Sequence, residues 1–381
     1  MAYNKLSTAN LPDPVIDPAQ GSSPEDYFGT LTWTGTGGSR TIADGESGIT
    51  GDVNFTPDFI WTKSRTSASS HMAYDTLRGF GDSSELSPNQ TIAEGGDNGD
   101  LYGYVSGNTS GGFTTVAGSS NADLTNTSGR NYVAWNWKAG TSFSNDASAT
   151  SIGTVDSNGL VSTTSGFSIV RFNSGASGTQ SFKHGLTQRP DLCIFKEKDS
   201  GGAGDHWNVW EGVALNPAQS YGYLNLSNGF ANDASQWSNT APTDSIFTYN
   251  SGYAWSTSQE MICYCFHSVE GFSKVGSYTG NGLADGPFVY TGFRPAFVMF
   301  KKSSGTGDWN IRDTARSSYN VVGEALYPNL AFVEYSGTET YVDILSNGFK
   351  LRGNWNSTNA SGGTYIYMAF AENPFKYSNA R

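Results

Sequence analysis

Bulky apolar residues occur along this chain in short runs, each closed by Gly, Ser, Asn or Pro. One run, Pro57-Asp58-Phe59-Ile60-Trp61-Thr62-Lys63, comes back as Pro190-Asp191-Leu192-Cys193-Ile194-Phe195-Lys196 and again as Pro295-Ala296-Phe297-Val298-Met299-Phe300-Lys301. Each version opens on a proline, whose missing N–H is tolerated at the mouth of a strand. Each ends on a lysine. Short, β-rich and turn-bounded, these segments predict buried strands. No heptad-spaced run argues for a coiled coil or helical bundle. No stretch of 18 apolar residues is present to span a bilayer as a helix.

Further blocks recur in the same order. Trp33, Phe172 and Tyr278 each end a strand before a glycine turn, and Gly112-Phe113-Thr114 matches Ile246-Phe247-Thr248 and Gly348-Phe349-Lys350. His71 aligns with His206 and Asp308, and Asp75-Thr76-Leu77-Arg78 matches Asp313-Thr314-Ala315-Arg316 once one residue is inserted. The closing strands are Tyr132–Trp137, Met261–Phe266 and Tyr365–Phe370. The expected fold is therefore all-β, with three tandem β-sandwich or jelly-roll units over 27–140, 166–271 and 272–381. Residues 141–165, rich in Ser, Thr, Asn and Gly, read as a linker with some strand content. Glu270-Gly271-Phe272 joins the second and third units directly, which predicts that they pack tightly.

Residues 1–26 form an arm in which Pro12, Pro14 and Pro18 favour an extended chain. Two readings stand side by side: a frayed terminus, and a docking arm that orders on a neighbouring subunit through Leu11, Val15 and Ile16. Met1–Lys5 leads into a polar stretch with no apolar core segment, so no secretory signal is expected.

Composition narrows the function classes. The chain carries 10 Trp, 20 Tyr and 22 Phe, too many aromatics for a disordered polypeptide. Its net charge of −12 and lack of any basic cluster beyond Lys301-Lys302 argue against nucleic acid and against insertion at an anionic membrane surface. Cys193, Cys263 and Cys265 are too few for a disulfide framework. Cys263 and Cys265 fall on one strand face, and the other repeats place Ile60, Val298, Ala134, Tyr367, Asn136 and Ala369 at these positions, so the thiols read as core residues. The histidines His71, His184, His206 and His267 show no zinc spacing, and no metal or cofactor is assigned.

Catalytic signals are sparse. Glycoside hydrolysis needs two carboxylates flanking a groove, and Asp75, Glu211 and Asp313 are the candidates by repeat position. A site kept in every repeat is more simply structural, so no catalytic residue is assigned. Nucleophile-elbow, phosphate-loop and dinucleotide motifs are absent, as is a calcium loop. Aromatics that could stack on sugar include Trp207, Trp210, Trp237, Trp255, Trp309 and Trp355.

The strings Phe55–Lys63, Tyr132–Gly140, Asp285–Phe297 and Gly363–Phe375 resemble a repeated β domain of tailed-phage virion proteins, marine phage type. That resemblance implies a concanavalin- or laminin-G-like sandwich in a tail fibre or tail-associated protein, assembled in the host cytoplasm and carried on the particle surface. It brings no catalytic residues. The expected function is a virion structural protein attached to the tail, a fibre or tip component with a role in host-surface attachment. Its expected partners are other virion proteins through the arm, further copies of itself, and a host surface glycan. A capsid decoration protein or head fibre is the alternative, followed by a polysaccharide depolymerase.

Overall fold

Successive side chains of a strand point to opposite faces, so a strand covered on both sides reads as a continuous apolar run. The closing strands obey this rule. From Asn131–Trp137, residues Val133, Trp135 and Trp137 enter one apolar cluster, whereas Tyr132 and Ala134 enter another. Glu260–Phe266 divides in the same way, as does Thr364–Pro374. The computed structural model describes residues 13–199, 201–202, 204–374 and 376, and it is all-β with several antiparallel sheets.

One strand order occurs three times. Strands Phe28–Thr34, Asn131–Trp137, Phe59–Ser64 and Met72–Asp75 lie side by side in that order. Phe167–Asn173, Glu260–Phe266, Leu192–Glu197 and Asn208–Glu211 repeat it, and so do Ser273–Thr279, Thr364–Pro374, Phe293–Lys302 and Asn310–Asp313. We call these the first, second and third groups. Each sheet has a smaller partner sheet behind it: Arg40–Ala43, Gly112–Val116 and Tyr104–Thr109 in the first group, Gly178–Lys183 and Ile246–Ser251 in the second, and Phe288–Tyr290, Gly348–Leu351 and Val342–Leu345 in the third. A separate apolar cluster includes residues of both sheets in each group.

The remaining faces of the three large sheets meet in a fourth, central cluster. Trp137, Phe266 and Phe370 occupy the same place in their strands, and their ring centroids are 6.4, 5.7 and 6.0 Å apart pairwise. The repeated aromatics at these three positions thus hold the groups to one another rather than filling each group's own interior.

Two segments take a definite place in the fold. Residues 141–165 include Thr141–Asn145 and Ser157–Ser162, which pair in register and extend the second group's large sheet beyond Phe167–Asn173. Of the arm, Leu11 lies outside the described residues. Val15 is exposed, whereas Ile16 is wholly buried in the chain's own central cluster. Pro14 packs at the joint between the second and third groups, where a Cβ on Gly271 would come within 2.7 Å of the Pro14 ring.

Candidate functional site

Strand register corrects one alignment. Phe59 faces Asp75, Leu192 faces Glu211 and Phe297 faces Asp313, so the partner of His71 in the other groups is Trp207 and Trp309, not His206 and Asp308. The three do one job. Trp207 Nε1 donates to Ser87 O of the first group at 2.9 Å, and Trp309 Nε1 donates to Tyr223 O of the second at 2.8 Å. His71 Nε2 lies 3.0 Å from Tyr327 O of the third. Trp61 Nε1 donates to His71 Nδ1 at 3.0 Å, which leaves the imidazole proton on Nε2 to complete the ring of three bonds. Burial holds His71 well below the usual histidine range and therefore neutral.

The carboxylates Asp75, Glu211 and Asp313 sit at the same seams. Asp75 takes Arg78 Nε at 2.6 Å and the Tyr264 hydroxyl of the second group at 2.8 Å. Arg78 continues to Glu94, and Glu94 to Lys198 of the second group. Asp313 likewise takes Arg316 Nε at 2.6 Å and Trp135 Nε1 of the first group at 2.9 Å, while Arg316 continues to Glu334 and Glu334 to Arg65. The second-to-third seam breaks the pattern as a unit. Met368 stands where Tyr264 and Trp135 donate, Ala214 where the arginines stand, and Phe230 where the glutamates stand. Glu211 accepts instead from the backbone N–H groups of Val213, Ala214 and Leu215. Desolvation raises its pKa. All three carboxylates are buried and committed to fixed partners, which accounts for them as elements of the seams.

The lysines that close the repeated strands are buried too. Lys196 Nζ donates to the carbonyls of Thr91, Glu197 and Asp205, and Lys301 Nζ to those of Ser227, Lys302 and Gly307. Lys63 Nζ donates to Ser64 O and Ser67 O. Thr91 and Ser227 belong to the preceding group, so two of these lysines also stitch a seam.

A cavity with binding chemistry lies at the third-to-first seam. Asn329 and Glu334 anchor a loop of the third group: Asn329 Oδ1 accepts Trp309 N at 2.9 Å, and Glu334 N donates to Arg65 O at 2.7 Å. Between these anchors Phe332 and Val333 are left outside, 60% and 45% exposed. They border a cavity of about 400 Å³ with Tyr327, Tyr335, Trp355 and Ala68 in its wall and Asp308 and Glu339 as its carboxylates. Trp355 is half-buried and meets Tyr327 edge to face at 5.7 Å. Gly353 permits this wall, because a Cβ there would fall 1.7 Å from Glu339 O. Asn329 Nδ2 donates to Asp308 at 2.8 Å, and the Tyr335 hydroxyl donates to Glu339. That hydroxyl holds the Glu339 carboxyl below its ordinary range, while burial pushes the Tyr327 phenol up to about 12. The cavity therefore offers ring surfaces beside hydrogen-bond acceptors.

Of the tryptophans read as sugar-stacking candidates, Trp207, Trp210, Trp237, Trp255 and Trp309 are buried, and Trp355 reaches this cavity. Sequence reasoning missed Tyr327, Phe332, Tyr335, Asp308 and Glu339. The available signal was Phe332-Val333, an apolar pair outside every repeated strand block.

No curated protein and no solved structure matches the chain. One family model does, across residues 23–374. It spans all three groups as one unit, as their shared central cluster does. The chain belongs to the family described as Domain of unknown function (DUF7483).

Proposed function

We propose that the chain is a bacteriophage virion structural protein, attached to the tail as a fibre, tail-tip or appendage component, that contacts a host surface glycan through the cavity walled by Trp355 and Tyr327. In this reading the three groups are tandem β-sandwich units of jelly-roll type closed around a pseudo-threefold axis. The resemblance of the repeated strings to phage virion domains supports the setting, and the recurrent strand order supports the tandem plan.

The observation that carries the binding role is the cavity's chemistry. Sugar rings present C–H faces that pack on aromatic rings, and their hydroxyls donate to carboxylates. Trp355, Tyr327 and Tyr335 supply the first, Asp308 and Glu339 the second. A glycan array and binding to host envelope polysaccharide test it. Trp355→Ala should cut binding at least tenfold with the fold intact; binding unchanged in that variant overturns the assignment. Particle reconstruction tests the setting, because density confined to the capsid would favour a decoration protein or head fibre. The arm over 1–26 contacts other virion proteins in this reading, Ile16 excepted, since it serves the chain's own core. Deleting residues 1–12 should leave a folded protein that no longer joins particles.

A further inference from the structure

The chain has three cysteines in 381 residues, and the fold brings all three together. Cys263 and Cys265 project from one face of Glu260–Phe266, and Cys193 lies directly opposite Cys265 on Leu192–Glu197. Their sulfurs are within 4.8 Å of one another, with 3.3 Å between Cys263 and Cys265. Each residue is wholly buried inside the second group's own cluster. Strand periodicity foresees that Cys263 and Cys265 share a face, but not that Cys193 closes the triangle. The matching positions in the other groups carry Ile60 and Val298, Ala134 and Tyr367, Asn136 and Ala369, so no demand of the shared fold requires sulfur here.

We propose that Cys193, Cys263 and Cys265 form a three-coordinate site for a soft, thiophilic monovalent ion of the Cu(I) class. Metal–sulfur bonds of about 2.3 Å in a trigonal plane need sulfurs about 4 Å apart, and this triangle needs only small side-chain adjustments to reach that. Thiolate sulfur selects soft ions. Tetrahedral zinc would need a fourth ligand, and the His184 ring is committed: His184 Nδ1 accepts Leu186 N at 3.2 Å, and its Nε2 faces Thr243 O at 3.3 Å. The ion displaces thiol protons as it binds, because the thiolate is the metal-binding form of cysteine. Two protons pass to solvent, two sulfurs bind as thiolates and the third as a thiol, and the site carries one net negative charge.

Two alternatives have distinct signatures. Cys263 and Cys265 are two residues apart on a strand, about 7 Å between Cα atoms, too far for a disulfide. Cys193 and Cys265 are cross-strand partners and could be bridged. The test uses the full chain, purified anaerobically from copper-supplemented cells and also reduced and titrated with Cu(I) against a competing chelator. The expected result is close to one copper per chain and a raised melting temperature. The variants Cys193→Val, Cys263→Ala and Cys265→Ala each install a residue that another group carries, so they should fold. Near-UV circular dichroism checks this, and each variant should lose at least 90% of the copper. Wild type with less than a tenth of an equivalent, equal copper in wild type and variants, or one titratable thiol in denatured protein isolated without reductant would each overturn the site.

Discussion

Trp135 donates its indole N–H to the Asp313 carboxylate across 2.9 Å, joining residues 178 positions apart and closing the seam between the third and first groups. Tyr264 performs the same service for Asp75 at 2.8 Å, and Met368 occupies the third equivalent place with no donor to offer. Trp135→Phe and Tyr264→Phe should each cost about 1–3 kcal/mol, the penalty for leaving a buried acceptor short of a partner. Met368→Leu should cost less than about 1.5 kcal/mol, as a volume-conserving apolar exchange does. Urea unfolding of the three variants checks the ranking. Equal losses at all three would contradict a seam-specific role for the donor.

The ion chain beginning at Asp75 should weaken from its buried end outward. Arg78 and Asp75 are enclosed, whereas the Lys198 side chain keeps 22% of its surface in water. Arg78→Met strips Asp75 of its cation and should cost about 3–5 kcal/mol. Lys198→Met removes a partly exposed partner and should cost about 1 kcal/mol or less. Adding Asp75→Asn to Arg78→Met should recover part of the loss, because the buried charge goes with its partner. Denaturant midpoints of these three proteins and of Asp75→Asn alone test this. A double variant as unstable as the sum of its parts would show that the two residues do not act as a pair.

Much of the fold was legible because both faces of its main strands are buried. Pro57 and Pro190 stand just before their strands as expected, whereas Pro295 lies inside Phe293–Lys302 at a break in register, and Lys63, Lys196 and Lys301 mark the ends of all three. What periodicity cannot say is which cluster a buried face joins. Trp137, Phe266 and Phe370 look like interior residues of three separate units, and their contact with one another depends on how the sheets associate. His71 was misaligned because its equivalents are indoles, and only strand pairing reveals that an imidazole N–H and an indole N–H fill the same role. The cavity beside Trp355 was hidden for a related reason. It is assembled from a loop and a sheet edge that do not repeat, and a search for repeats passes over them.

The central cluster should make the three groups unfold together. Phe370 touches Phe28, Phe266, Phe272 and Phe297, so four of its ring contacts reach all three groups. Phe370→Ala should cost about 3–5 kcal/mol. It should shift a single calorimetric transition down in temperature, with calorimetric and van't Hoff enthalpies that agree. Three resolved transitions, or one group melting early while the others stay unchanged, would contradict a shared core.

The buried lysines give stability an alkaline slope. Burial brings Lys63 and Lys301 down to about 7 and Lys196 to about 8, against about 10.4 in an unfolded chain. Between these limits the unfolded chain binds more protons than the folded one, so unfolding free energy rises with pH; below the folded value both states are protonated and the penalty is complete. Each lysine adds at most about 1.4 kcal/mol per pH unit. Stability should therefore climb from pH 7.5 to 9.5, and then turn as phenols held high by burial, such as Tyr264 and Tyr278, begin to favour the unfolded chain. Lys301→Met should reduce the slope by roughly a third while removing a donor to Gly307 O and Ser227 O. Urea titrations at half-unit pH intervals measure it. A flat profile in wild type would mean that the surrounding carbonyl oxygens keep these ammonium groups charged to the same pH as in water.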